Sequence, residues 1–332
     1  MSRTYKATGI NLKSMPLGEA DRLLTILTRE YGLVKAVAMG SRKHNSKLGG
    51  RSGLFVVNEL LIAKGRSLDK ITQAETVESY PGLGQDLKKL TASQYIAELC
   101  LCQALSDQPQ EELFQALNGH LKRLERSSTP LILPHLTHAI FQFLILEGVA
   151  PQVDRCCVTR QPLIPEFDDP NWRVGFSVPA GGAVTLEALR QLQQKSQPSK
   201  RLPAVSEQST EATRQAISQI QDGVAETETS DYTGSSPMRR SAQLNRLLTA
   251  AELTLLQAVA QACSSERMAV ADHPQVDFPS QGSLHFLQLP TSVDEWLAIE
   301  RILRPYAQYH FDRPIRSAAL MDACFLSSSA PP

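Results

Sequence analysis

Between Gly40 and Arg51 the chain reads Gly40-Ser41-Arg42-Lys43-His44-Asn45-Ser46-Lys47-Leu48-Gly49-Gly50-Arg51, four cations set among glycines. Glycine lets backbone come close to an anion, and the flanking Lys and Arg supply the charge. The glycine–lysine–hydroxyl order of a nucleoside-triphosphate loop is missing, so the chemistry on offer is charge pairing and not phosphoryl transfer. The cluster has company. From Met1 to Ile71 there are thirteen Lys and Arg against five Asp and Glu, an excess of eight positive charges. The whole chain carries 34 of each, so the remainder holds an equal negative excess. The cations are Arg3, Lys6, Lys13, Arg22, Arg29, Lys35, Arg42, Lys43, Lys47, Arg51, Lys64, Arg66 and Lys70. One charged loop alone is an ordinary solvated turn. A cationic head on an acidic body is what a polyanion-binding module needs, because displaced counterions drive association.

The elements that carry these charges read as short strands. Leu23–Thr28, Leu33–Ala38 and Leu54–Ala63 are rich in alternating apolar residues, and Pro16, Gly18, Gly32, Gly40, Gly49-Gly50, Gly53 and Gly65 punctuate them. That texture predicts a small β-barrel or sandwich. Its aromatic residues are few: Tyr5, Tyr31, Phe55 and Tyr80. Phe55 stands in an apolar run and is assigned to the core, so binding directed at the backbone, tolerant of sequence and steep in salt, is expected. Arg22 adjoins Asp21, and an ion pair competes there with a phosphate contact.

Beyond Pro81-Gly82 the period changes to helical. Leu87, Leu90, Tyr95, Leu99 and Cys102 form one stripe, a second helix is predicted over 110–124, and a third over 132–148, apolar nearly all round and stopped by Gly148. Residues 151–182 are turn-rich. Residues 195–240, rich in Ser, Gln, Thr, Glu and Pro, cannot bury enough apolar surface to order themselves and are expected to be a disordered insertion. A helix is predicted over 244–262, a looser stretch over 264–291, and a last helix from Val293 to Tyr309 with Trp296, Ile299, Leu303 and Tyr306 on its buried side. The closing Ser-Ser-Ser-Ala-Pro-Pro is expected to fray.

Other reactive residue types give no site. Cys100 and Cys102 diverge on a helix and read as small core hydrophobes. None of the seven histidines has metalloenzyme spacing; His135 and His138 share a helix face, with no acid or thiol nearby in sequence. Asp168-Asp169 precedes Pro170 and reads as a turn. No nucleophile motif is present, so an enzyme is not expected.

Three segments near the start and one near the end resemble a known family. Gly18-Glu19-Ala20-Asp21-Arg22-Leu23-Leu24-Thr25-Ile26-Leu27-Thr28-Arg29-Glu30-Tyr31-Gly32-Leu33 resembles the opening of the bacterial recombination mediator family RecO. Ala36–Lys43 and Lys64–Ile71 resemble its next two segments, and Tyr309–Ser317 its closing helix and turn. The resemblance implies an α+β multidomain chain: an N-terminal OB-fold β-barrel (1–80), then an α-helical domain (83–150 and 241–325) interrupted by a zinc-finger-like module (151–194). Here the module departs from the family. Cys156-Cys157 stand in the first knuckle, Thr159 or Arg160 replaces its second thiol, and Ala183-Val184-Thr185-Leu186 replaces the second knuckle. Structural zinc wants four ligands. The module is therefore read as degenerate, without metal or cofactor, with Cys156 and Cys157 as remnants.

The family further implies a mediator that binds single- and double-stranded DNA and anneals complementary strands. With RecR it would help load RecA onto DNA coated by single-stranded-DNA-binding protein. Arg301, Arg304, Arg313 and Arg316 are candidate rim charges for that coating protein's acidic tail. Two other readings stay open: an adaptor whose barrel meets an acidic protein, and an OB protein that binds RNA.

At 332 residues, 42% hydrophobic and 20% charged, composition is that of a globular protein of several domains. There is no run of ~18 uninterrupted apolar residues and no secretory start. Six cysteines suit a reducing compartment, so a cytoplasmic, nucleoid-associated protein without a membrane is expected.

Overall fold

The computed structural model describes residues 4–195, 245–272, 284–289 and 291–326. Arg3, the predicted insertion from 196 onward and the closing Ser-Ser-Ser-Ala-Pro-Pro lie outside the described residues.

Five strands, β1 (Thr4–Leu17), β2 (Asp21–Thr28), β3 (Gly32–Ala38), β4 (Val56–Ala63) and β5 (Asp69–Ser79), close a barrel in the order β1-β2-β3-β5-β4. Only β3 and β5 run parallel. Side chains alternate across each strand. Ala7, Leu24, Ile26, Val34, Ala36, Ala38, Leu60, Ile62 and Ile71 therefore fill the inside. Ile10, Leu12, Leu27, Phe55 and Val57 instead join the core beneath the barrel, which is continuous with the helical body. Phe55 is the core residue its setting predicts, and it holds a left-handed backbone (φ 58°) to get there.

The body begins with α1 (Leu87–Gln103), α2 (Glu111–Arg126) and α3 (Ile132–Leu146). Asp86 caps α1 by accepting from the N–H groups of Lys88 and Lys89. Gly148, at φ 79°, ends the third helix as its position suggests. The stretch Thr129–Leu146 is apolar and long enough to cross a membrane by length and composition, but α1 and α2 pack against it and most of it is buried inside the body.

The turn-rich part holds β6 (Val174–Ser177), β7 (Gly182–Val184) and α4 (Leu186–Lys195). The chain then returns as β8 (Asn245–Leu248), α5 (Ala250–Asp272), α6 (Val293–Phe311) and α7 (Ala318–Leu326). α5 and α6 complete the shell around α3.

Three predicted bounds need correction. The helix expected over 244–262 starts later and runs further. Asn245–Leu248 is a strand paired to β6, with Leu248 buried and Leu247 exposed as strand alternation requires. Thr249 and Glu252 then form a reciprocal cap: Thr249 donates its N–H and hydroxyl to Glu252 Oε2, and Glu252 N–H bonds to Thr249 Oγ1. That cap fixes the true start of α5, which continues into the expected loose stretch as far as Asp272, while residues 273–283 of that stretch lie outside the described residues. Finally, the helix at Val293 is not the last. Glu98 accepts from the N–H groups of Arg316 and Ser317, fixing the entry to α7.

Candidate nucleic-acid interface

Register places several head cations together. Lys13 on β1 is opposite Thr25 on β2, which is opposite Lys35 on β3. All three share the outer face, Lys13 and Lys35 exposed and Thr25 buried between them, the lysines two strand spacings or about 10 Å apart along the rung. The next outward rung runs Met15, Leu23, Val37 and then Lys70 on β5. The outer wall of β1, β2 and β3 thus offers Lys13, Lys35 and Lys70 beside a partly apolar floor.

Past one end of this wall lies the long β3–β4 loop. It is a built structure and not a loose arm. Arg42 N–H donates to the Ala20 carbonyl and its guanidinium to the Gly18 carbonyl (both 2.8 Å). Buried Asn11 and Asn58 both donate to the Arg51 carbonyl, and Arg22 donates to Ser52 Oγ. Arg22 makes this bond while Asp21 accepts from Gly40 N–H, so neither forms the ion pair weighed from sequence. Lys43 and Lys47 stay exposed on the loop.

Past the other end, a cleft of about 700 Å³ opens between the barrel and the body. Lys35, Lys64 and Arg66 line it with Tyr5 and Tyr31, and Ser106 and Asp107 close it from the body's side. Tyr5 and Tyr31 meet edge-on, ring centroids 4.7 Å apart. The Tyr5 hydroxyl donates to Asp69, whose other oxygen accepts from Gly65 N–H. Burial, and then that bond, hold the Tyr5 phenol well above its ordinary range, so it stays a neutral donor. The pairing of these two tyrosines is invisible in sequence, where they are 26 positions apart.

Two head cations stand elsewhere. Lys6 faces out opposite Leu61, one rung from Glu59 and Glu75, on the acidic β1–β4–β5 wall. Arg29 sits at the seam: it pairs with Glu111 at 3.2 Å and lies over the Phe114 ring. Around it, Leu33 N–H donates to the Leu105 carbonyl and Gln110 N–H to the Arg29 carbonyl.

In the body, Arg304 is committed inward, bonded to both Glu300 and Asp322. Arg313 and Arg316 are exposed and Arg301 is half-buried. His138 does have an acid and a thiol near it: Glu266 lies 3.5 Å from Nε2, and Cys263 bonds to its carbonyl. Arg123 ties down Glu266 at 2.7 Å. Burial pushes His120, His135 and His138 down, His135 to about 4, followed by Arg123 for the first two and by His120 and then Arg123 for His138. Among the described residues no three His, Cys, Asp or Glu gather to hold a metal ion.

In the turn-rich module, Cys156 Sγ accepts the N–H groups of Thr159 (3.4 Å) and Thr185 (3.3 Å). Burial pushes this thiol up, but hydrogen bonding from the Thr159 side chain and then from the backbone N–H groups outweighs it and brings it to about 7. Thr185 also takes the Ala188 N–H on its hydroxyl, so a hydrogen-bonded staple joins the two chain segments.

Barrel order, with its single parallel β3–β5 pair, defines an OB-type module whose outer β1–β3 wall and flanking loops are cationic, fused to a helical body. Residues 1–80 match the family profile described as Recombination protein O N terminal, and residues 84–235 match Recombination protein O C terminal. The chain is 49% identical to the DNA repair protein RecO of a Nostoc species, covering 99% of this chain and 98% of that one. It is 50% identical to that of Gloeothece citriformis, over 97% and 98%, and 38% identical to that of Gloeobacter violaceus, over 99% and 97%. The chain belongs to the RecO family of DNA repair proteins.

Proposed function

We propose that this chain is a recombination mediator that binds single- and double-stranded DNA, anneals complementary strands and, with RecR, helps load RecA onto strands coated by single-stranded-DNA-binding protein. The observation that carries this reading is the outward Lys13–Thr25–Lys35 rung, continuous with the β3–β4 loop at one end and Lys64 and Arg66 at the other. A track of fixed cations along about seven strand positions, some 23 Å, suits the backbone of a few nucleotides. It screens repulsion between two strands and carries no base code. On this reading the chain makes and breaks no covalent bond, needs no cofactor, and works in the cytoplasm at the nucleoid. Of the four arginines weighed for the coating protein's tail, Arg301, Arg313 and Arg316 remain for that role, because Arg304 is spent on Glu300 and Asp322.

The test is strand annealing with and without the coating protein, using the full chain. Reversing Arg42, Lys43 and Lys47 together to Glu should weaken binding to single strands and duplex alike and flatten the salt dependence. Unchanged affinity and slope would remove the loop from the interface. Failure to hold any nucleic acid would favour an adaptor.

A further inference from the structure

We infer that the cleft between barrel and body is a seat for one unpaired base, with Tyr31 as its stacking platform. The inference rests on the DNA-binding reading and assigns to this cleft the step that tells a single strand from a duplex.

The cleft has the size for it. About 700 Å³ lies within the ordinary range of small-ligand pockets and exceeds what one nucleotide needs. Its lining is split by charge. Lys35, Lys64 and Arg66, on β3 and the β4–β5 loop, are the phosphate side, continuous with the lysine rung on the wall. Tyr5, Tyr31, Asp69 and, from the body, Asp107 are among the residues of the other side, and Tyr31 and Asp107 are both close enough to bear on the Tyr5 phenol. A carboxylate there repels phosphate but accepts the N–H groups of a base edge. A strand running along the cations is therefore oriented with its base inward.

Tyr31 is held ready. The residue is 38% exposed, and its ring meets that of Tyr5 edge to face, with Tyr5 fixed in turn by Asp69. Its N–H donates to Thr28 Oγ1, and that hydroxyl donates to the Gly32 carbonyl. Gly32, at φ 63°, has room for no side chain, since a Cβ would stand 2.0 Å from the Leu105 carbonyl. The turn that carries Tyr31 is thus clamped to the body, and stacking costs little further ordering. A base inside a duplex is already stacked and paired, so it cannot enter without being extruded.

The test compares the full-length protein and its Tyr31→Ala and Tyr31→Phe variants on three probes: a single-stranded oligothymidylate, the same backbone with abasic sites, and a duplex. Wild type should hold the base-bearing strand roughly tenfold tighter than the abasic one, the scale of one stacked base. Tyr31→Ala should lose that preference while binding the abasic strand and the duplex as wild type does, and Tyr31→Phe should keep it. If Tyr31→Ala retains the preference, or wild type has none, the base seat is overturned while DNA binding stands. If wild type binds none of the probes, the DNA-binding reading fails with it.

Discussion

The head and the body use arginine and lysine in opposite ways. On the barrel, Lys13, Lys35, Lys64, Arg66 and Lys70 have no side-chain ion pair or hydrogen bond among the described residues, and all reach solvent or the cleft. In the body, Arg123 and Arg304 are drawn inside and answered by Glu266, and by Glu300 and Asp322. A buried guanidinium must be paired because desolvation is costly, and once paired it holds helices together. An exposed, unanswered lysine contributes almost nothing to folding but leaves its field available to a polyanion. Residue type is shared between the regions. For these residues, what differs is whether a carboxylate stands opposite.

That contrast can be broken most forcefully in the body. Arg304→Ala leaves Glu300, 1% exposed, without its cation and with only the Tyr95 hydroxyl, and should cost about 3–5 kcal/mol of stability. Urea unfolding reads it, and a loss below ~1 kcal/mol would mean the pairing is ornamental. Next comes acid. His120, His135 and His138 face Arg123, Glu266 and Cys263 across α2, α3 and α5, and their folded pKa values lie below the ordinary 6.5. Their contribution is complete above about pH 6.5 and is lost as pH falls toward 4, since the unfolded chain takes up protons first. Glu266, pushed up by burial, runs the other way and offsets part of this. Before that offset, a loss on the order of 2 kcal/mol between pH 7 and 5 is expected from the His135 shift alone. A flat pH profile would contradict the cluster's burial.

Comparable in size is Gly32→Ala at the junction of the two regions, where a positive φ and the Leu105 carbonyl together should cost about 1–3 kcal/mol. Smallest is Lys6→Ala. It sits on the acidic wall and should change neither stability beyond ~0.5 kcal/mol nor DNA affinity. A marked loss of DNA binding there would extend the interface around the barrel.

The barrel was legible because glycine punctuation and period-two runs both require it, α1 because its apolar stripe repeats, and α3 because its run is apolar nearly all round. Leu247 and Leu248 misled because two adjacent leucines before a helix fit either period; only pairing to β6 separates them. The charge excess was visible in composition, but its division was not. Which wall a lysine faces depends on cross-strand register and on the bulge between Asn11 and Lys13. Arg29 and Arg304 could not be told from free cations, because Glu111, Phe114 and Asp322 reach them only through tertiary packing. Nor does any local pattern bring Tyr5 to Tyr31, or Glu266 to His138.

The most direct test is the salt dependence of single-strand binding by the wild type, by Lys13→Ala/Lys35→Ala/Lys64→Ala/Arg66→Ala, and by Lys6→Ala. Each lost phosphate contact flattens the log–log slope by about 0.7, so the fourfold variant should lose about 3 and the Lys6 variant nothing. Equal slopes for all three proteins would contradict the cationic wall as the DNA-binding surface.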